Sequence, residues 1–493
     1  MAVRLIAVLA LGFGWLAAHA ADWPQAGGNP QHTSFTPDSP APPYKVAWVA
    51  DFSPEQVYSA QPVIADGRLF QTTLNGSLYA LDAATGKRLW HFKAGECVWG
   101  SAAAGIPATG GEGRAFVAAW DGLVYGLDAA SGTELWRHDA GEPLSGSPCI
   151  AEGMVFIGTR KGTMLALGTD GRLKWKQPLS WHIYSTAAWD AGRVFVVTED
   201  LLVHCLDAKS GRPVWKSQKL SGLLFREFYP VAHKGKVLVS LTPAEWRDGI
   251  PVKPFVWEVG KELLDKFSAP INPSQAGRGA PRRMAVRDGK LPAEIEEGQR
   301  NLLAYYEANP HLQTLYVLNA SDGKQAYVAV HLYGSAGLQN VVMPPAVCAD
   351  GTVVTYCCLG GAVLARLNPE TNRWVDFLLE LGATNNDESE FDSVGGSRVF
   401  SKNTMRTNGV LDLATRELTP LPREPVAGNG RPVAPIRVSI LPPAWCPSRD
   451  FSPARLGGAD WHGEPVGMSP MPIAGNRFFW MRQTQHLVAY EGK

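Results

Sequence analysis

The sequence predicts an all-β fold, an eight-bladed β-propeller of four-stranded antiparallel blades, and three observations predict it. A unit of about 40 residues recurs along the chain, the length that four short strands and their turns occupy. Each copy divides into short apolar runs separated by Gly turns, the mark of hairpins. The last copy stops one run short, while a strand-like run near the start, residues 44–52 (YKVAWVADF), has no partners of its own.

The first copy, residues 59–95, reads SAQPVIADGRLFQTTLNGSLYALDAATGKRLWHFKAG, and it recurs over 100–141, 146–177 and 185–217. Equivalent leucines, Leu81, Leu127, Leu167 and Leu206, stand 46, 40 and 39 residues apart. Within the first copy Asp66-Gly67, Asn75-Gly76 and Thr85-Gly86 separate four runs, whereas a helical repeat would show a 3.6-residue pattern. Weaker copies occupy 315–327, 344–374, 397–418 and 469–493, and an eroded first half at 228–241 belongs with 315–327, which makes eight. Pairing 44–52 with the last copy closes the ring and removes an open edge that would invite aggregation.

Composition agrees. With 45% apolar and 19% charged residues the chain can bury a large core, which excludes a disordered or coiled-coil chain, and 51 Gly with 37 Pro favour many turns over helical bundles. Residues 1–20 carry Arg4, an apolar run over 5–18 and Ala18-His19-Ala20, the pattern of a signal peptide cleaved near Ala20. The run is shorter than the roughly 20 residues of a membrane span. Without this leader, 45 basic residues face 46 acidic ones, so there is no electrostatic case for nucleic acid. The expectation is a periplasmic or secreted protein with no membrane span in its mature part. Its seven cysteines are too sparse to hold it together, and an odd number cannot all pair within one chain.

The run Ala80-Leu81-Asp82-Ala83-Ala84-Thr85-Gly86-Lys87-Arg88-Leu89-Trp90 resembles the pyrroloquinoline-quinone (PQQ) type propeller repeat, whose signature is AxDxxTGxxxW; residues 126–136 and 205–215 fit it with small changes. Asp22-Trp23-Pro24-Gln25 is similar to the opening of many exported proteins of this kind. The resemblance covers about residues 55–220. Physically the signature is scaffold: Gly takes the positive φ of the turn, Asp hydrogen-bonds it, and Trp buries a large face between blades. The family includes quinone-dependent dehydrogenases and non-catalytic members such as the propeller of the outer-membrane barrel-assembly machinery.

Blade topology places the turn between strands two and three, and the link from strand four to the next blade, on one face, here the mouth; the Thr-Gly turns lie on the other. The longest insertion, about 243–312, falls between strands two and three of blade five, and a Pro-rich stretch, about 422–467, links blades seven and eight. Both are expected to cover the mouth, as a plug or as functional loops. The insertion contains two helix-like runs, 256–267 and 292–308. Tyr58, Trp99, Tyr184 and Phe225 stand at or just before the start of the innermost strands. Two readings stay open: an aromatic funnel for a planar or sugar-like ligand, or core packing around a narrow axis. Arg226 and Glu227, beside Phe225, either pair with each other or point into that funnel.

Chemical motifs are sparse. Residues 385–392 hold four carboxylates of the oxygen type that Ca²⁺ prefers, but without EF-hand spacing, so they read as a solvated loop and no metal site is assigned. Cys357-Cys358 resembles the adjacent-cysteine disulfide of quinone-dependent alcohol dehydrogenases but falls in a different blade, and neighbouring strand residues point to opposite faces, so two separate thiols are expected. There is no CxxCH, GxSxG, HExxH or GxxxxGK[ST]. Catalytic residues stay unassigned and no cofactor is expected. The sequence reads as an exported, non-catalytic propeller that binds or assembles a protein or cell-envelope ligand at its mouth. The alternative implied by the resemblance is a PQQ- and calcium-dependent dehydrogenase acting on alcohols or sugars.

Overall fold

Each repeat becomes a blade because its four runs pair in sequence order. The structure is a computed structural model and describes residues 22–57, 60–105, 113–222, 225, 228–241, 268–270, 282–284, 293–331, 344–358, 361–383, 392–401, 409–415, 417–422, 470–481 and 486–493. In blade one, Val63–Ala65, Arg68–Thr72, Ser77–Asp82 and Arg88–Lys93 form an antiparallel sheet. The first three strands are almost wholly buried, whereas the fourth alternates exposed and half-buried residues and so forms the rim. Blades two, three and four repeat this over 103–139, 149–178 and 188–216, and eight sheets make the ring. Lys45–Asp51 pairs with His486–Glu491 as the outermost strand of blade eight, so the two ends of the chain close the circle as the unpartnered run predicts.

The signature acts as expected, and the glycine has a second role. Asp82 Oδ1 accepts the Ala84 and Thr85 N–H groups and the Thr85 hydroxyl, at 3.1, 2.8 and 2.7 Å. Gly86 adopts φ +72°. The Trp of one blade then lies over the turn glycine of the next: a Cβ on Gly132 would sit 2.5 Å from the Trp90 ring, and one on Gly211 2.5 Å from Trp175. Each indole N–H donates to a carbonyl beside that glycine, Trp90 to Ala129, Trp136 to Thr169, Trp175 to Ala208 and Trp215 to Ala320, at 2.9–3.1 Å. Trp48 does the same with Ala83 and Gly86, locking blade eight onto blade one.

Two sheets exceed four strands. In blade five, Lys236–Ser240 pairs with Leu315–Asn319, so residues 241–314 leave the blade between its second and third strands. Most of this excursion, and with it the expected cover of the mouth, lies outside the described residues. Ser268–Pro270 and Arg282–Met284 extend blade six at its rim, with Arg282 opposite Glu380. Helix α1 (Ala293–Ala308) buries Leu302 and Tyr306 among Val231, Leu238 and Val317 of blade five and Val353, Leu367 and Trp374 of blade six. It covers apolar surface that a wedge-shaped gap between blades would leave wet. The run 256–267 and the loop 423–469 lie outside the described residues, as do 384–391 of the acidic run.

The other extra strand, Phe35–Thr36, runs parallel to Asp392–Gly395 on the inner edge of blade seven. It belongs to a segment, 22–38, that threads the ring from inside. Trp23 exchanges both backbone hydrogen bonds with Ile64 of blade one, and the Pro24 carbonyl accepts Ala104 N–H of blade two. Gln25 takes Ile150 of blade three with its side chain, Oε1 accepting at 2.7 Å and Nε2 donating at 3.3 Å. Pro30, Gln31, Thr33 and Ser34 carbonyls accept from Trp189, Ala232, Val347 and Val394, in blades four to seven, at 2.8–2.9 Å. Asp38 Oδ2 accepts Gly475 N–H, in the first turn of blade eight, at 2.5 Å.

Candidate functional site

The mouth is built by one recurring hydrogen bond. At the turn between strands two and three, the residue before the turn donates its N–H to the link that enters the blade: Leu74 to Gln56, Trp120 to Cys97, Arg160 to Pro143 and Glu199 to His182, at 2.7–3.0 Å. This fixes four equivalent backbones, and the mouth presents the side chains of these turns and of the links bonded to them. Among the described residues, blades two to four make the distinctive surface. The Arg160 guanidinium lies between two rings, 4.6 Å from the centre of Trp120 and 4.0 Å from that of Tyr184. His182 stacks on Tyr184 with an interplanar angle of 5°, and Trp181 meets His182 edge-on. The His182 Nδ1–H donates to the Arg160 carbonyl, so the two strands of the cluster are tied at backbone level. Trp181 is 54% exposed.

Of the residues read from sequence as a funnel, the structure places only Tyr184 in this cluster. Trp99 and Phe225 are buried, with 6% and 0% exposure. Trp99 packs with Leu74 and Cys97 between blades one and two, and Phe225 with Leu201, Leu220 and Leu241 between blades four and five. Tyr58, Arg226 and Glu227 lie outside the described residues. The physical reason is the width of the axis. Ser101 N–H donates to Ser147 Oγ at 2.8 Å and Ser147 N–H to Thr186 Oγ1 at 3.1 Å, so neighbouring inner strands touch directly. A Cβ on Gly100 would come within 2.8 Å of Gly146 backbone, and only small side chains fit there.

Trp120, Arg160, Trp181 and His182 were not read from the sequence. The signal available was positional variation. Aligned copies give Leu74, Trp120, Arg160 and Glu199 at one turn position within an otherwise uniform unit.

Cys149, Cys205 and Cys348 are buried, and burial pushes their pKa values up to about 12, 12 and 11, which keeps them protonated. The side chains of Cys357 and Cys358 lie outside the description; their backbones end the second strand of blade six, Val353–Cys358. Among the described residues no three His, Cys, Asp or Glu side chains converge as metal ligands, and no helix is long and apolar enough to cross a membrane.

Fold, repeat and blade-locking Trp together define the class: the chain is an eight-bladed β-propeller, and its residues 41–245 carry the PQQ-like repeat. The family model described as "Outer membrane protein assembly factor BamB" matches residues 41–98, 92–182 and 169–245. The chain is 32% identical over 209 residues to the outer membrane protein assembly factor BamB of Nitrosomonas eutropha, a match over 42% of this chain and 38% of that relative's length. The crystal structure of BamB from Moraxella catarrhalis superposes with TM-score 0.53 at 11% identity, over 91% of this chain and 100% of that one. The quinohemoprotein alcohol dehydrogenase of Comamonas testosteroni gives TM-score 0.54 at 14% identity, over 96% and 81%. These two likenesses establish the fold alone, since one fold hosts both classes of function.

Proposed function

We propose that this chain is an exported, non-catalytic propeller that serves as a binding or assembly scaffold, working through the mouth face of blades two to four. The observation that carries the proposal is the Trp120–Arg160–Tyr184–His182–Trp181 ladder. Trp, Tyr and Arg supply most of the energy at protein interfaces. Here Arg160 is held rigid between two rings, so little side-chain entropy is lost on binding. The relatives named as outer membrane assembly factors support a protein partner in the cell envelope. The mature chain would start at Ala21, which N-terminal sequencing of the secreted protein checks.

The test places a photo-crosslinking amino acid at Trp181, with a control at Leu173, which is 43% exposed on the rim. A discrete adduct from position 181, absent from 173 and lost on Arg160→Ala, is expected in the producing cell. Adducts of equal pattern at both positions would overturn the assignment. So would one PQQ bound per chain with chelator-sensitive oxidation of alcohols or sugars, which is the dehydrogenase outcome. Trp181→Ala should leave stability within about 0.5 kcal/mol of the parent, since the side chain is 54% exposed and meets the ladder only edge-on at its end.

A further inference from the structure

We propose that the central channel is a peptide-binding site, occupied in cis by residues 22–38. The channel is lined by the inner edges of the blades. In an antiparallel blade the middle residue of the innermost strand turns its N–H away from strand two, toward the axis. Ala104, Trp189 and Ala232 are such residues, and all are described with that N–H given to the segment. Ala104 and Ala232 are buried, with 0% and 1% exposure. A buried N–H without an acceptor is strongly disfavoured, and the segment's carbonyls supply that acceptor at these edges. The segment meets that requirement in chain order, blade after blade, by adding backbone to an open sheet edge.

Side chains give the site selectivity. Over 31–36 burial alternates, with His32, Ser34 and Thr36 inward and Gln31, Thr33 and Phe35 half-buried, the two-residue period of a strand with one face covered. Trp23 is fully buried and Gln25 nearly so. Where the path crosses the axis it needs glycine. Gly27 and Gly28 take φ +67° and +81°, and a Cβ on Gly27 would lie 2.8 Å from His32 Cα. Gly27 N–H donates to Gln61 Oε1, whose amide reaches the Pro470 carbonyl, so the crossing also joins blade one to the entry of blade eight. The face on which this happens follows from Ala129 N–H bonding Gly113 and Ala208 N–H bonding Gly192: strand-one turns sit beside the signature turns, opposite the mouth.

The experiment uses the full chain with a protease site inserted at Pro42-Pro43, where both residues are exposed. After cutting, the proposal expects the 22–42 peptide to stay with the ring at one per chain through gel filtration, and an isotope-labelled copy to exchange into it, read by native mass spectrometry. Loss of the peptide with an unchanged melting temperature would overturn it. Hydrogen exchange on the uncut chain is the second arm and does not depend on cleavage. Amides of Ala104, Trp189, Ala232 and Val347 should exchange at least about a hundredfold slower than unstructured chain, and Gln25→Ala should speed Ile150 by about tenfold while sparing the rim strands. Exchange of these inner amides at unprotected rates, or no response at Ile150, would equally defeat the proposal.

Discussion

Replacing Trp175 with Ala is expected to lower the unfolding free energy by about 3–5 kcal/mol, the range for removing a large buried aromatic. Trp175 is 9% exposed, packs on Phe156 at 5.9 Å between ring centres, and its indole N–H donates to Ala208 at 2.9 Å. It is therefore the joint between blades three and four, and urea unfolding should move to lower midpoint. Leu173, two residues away and 43% exposed, is the control, with a change within about 0.5 kcal/mol on Leu173→Ser. Gly211 separates backbone strain from overlap. At φ +71°, with a Cβ 2.5 Å from the Trp175 ring, Gly211→Ala meets both penalties. Gly192, at φ +75° with nothing within 4 Å of its Cβ, meets only the first, about 1 kcal/mol. In the Trp175→Ala background, Gly211→Ala should fall to the cost of Gly192→Ala. Equal costs in both backgrounds would show that the ring does not rest on the glycine.

The same joint explains what was legible in the sequence. A blade's signature is local: Asp82, Thr85 and Gly86 satisfy one another within one turn, and Trp90 follows at a fixed distance, so one repeat reveals fold and interface together. Ring closure was legible because the run 44–52 is an amphipathic strand with nothing nearby to pair with. The segment 22–38 was not, because its bonds run from its own carbonyls to amides as far away as Val394, and main-chain pairing leaves no pattern in side chains. Its Gly, Pro, Asn and Gln look like a linker. Of the two readings left open for the aromatics, core packing is the one that the burial of Trp99 and Phe225 fits. Residues that enter an innermost strand can face the axis or the adjacent blade, and Gly100 beside Gly146 shows that neighbouring inner strands meet too closely there for a ring between them. Trp99 and Phe225 turn between blades, and the surface that does expose rings combines the strand two–three turns of blades two and three with the link into blade four.

Acid should destabilise the ring well above the carboxylate range. His32, His204 and His331 are buried, and burial depresses each pKa from 6.5 to about 4. His32 lies under Tyr229 and gives its Nδ1–H to the Pro230 carbonyl; His204 faces Ser180 and Thr198, with Asp200 and Lys216 nearby; His331 contacts the Thr314 hydroxyl. Because the folded pKa is the lower one, the unfolded chain binds the proton first as pH falls. The stabilisation is complete above pH 6.5, declines between 6.5 and about 4, and each histidine accounts for up to about 3 kcal/mol of it. Urea unfolding across pH 7 to 4.5 should show this slope, reduced by one proton in His32→Gln. Since His32 sits within the threaded segment, protonation there should also speed exchange at Ala232 and Val347 before it does so in the rim strands. A separate loss follows at lower pH, where Asp82, Asp128 and Asp207, held below the usual range mainly by the Thr85, Ser131 and Ser210 hydroxyls, take up protons and release the signature turns. A profile flat from pH 7 to 4.5 would mean that these histidines reach solvent, which their burial among blade cores opposes.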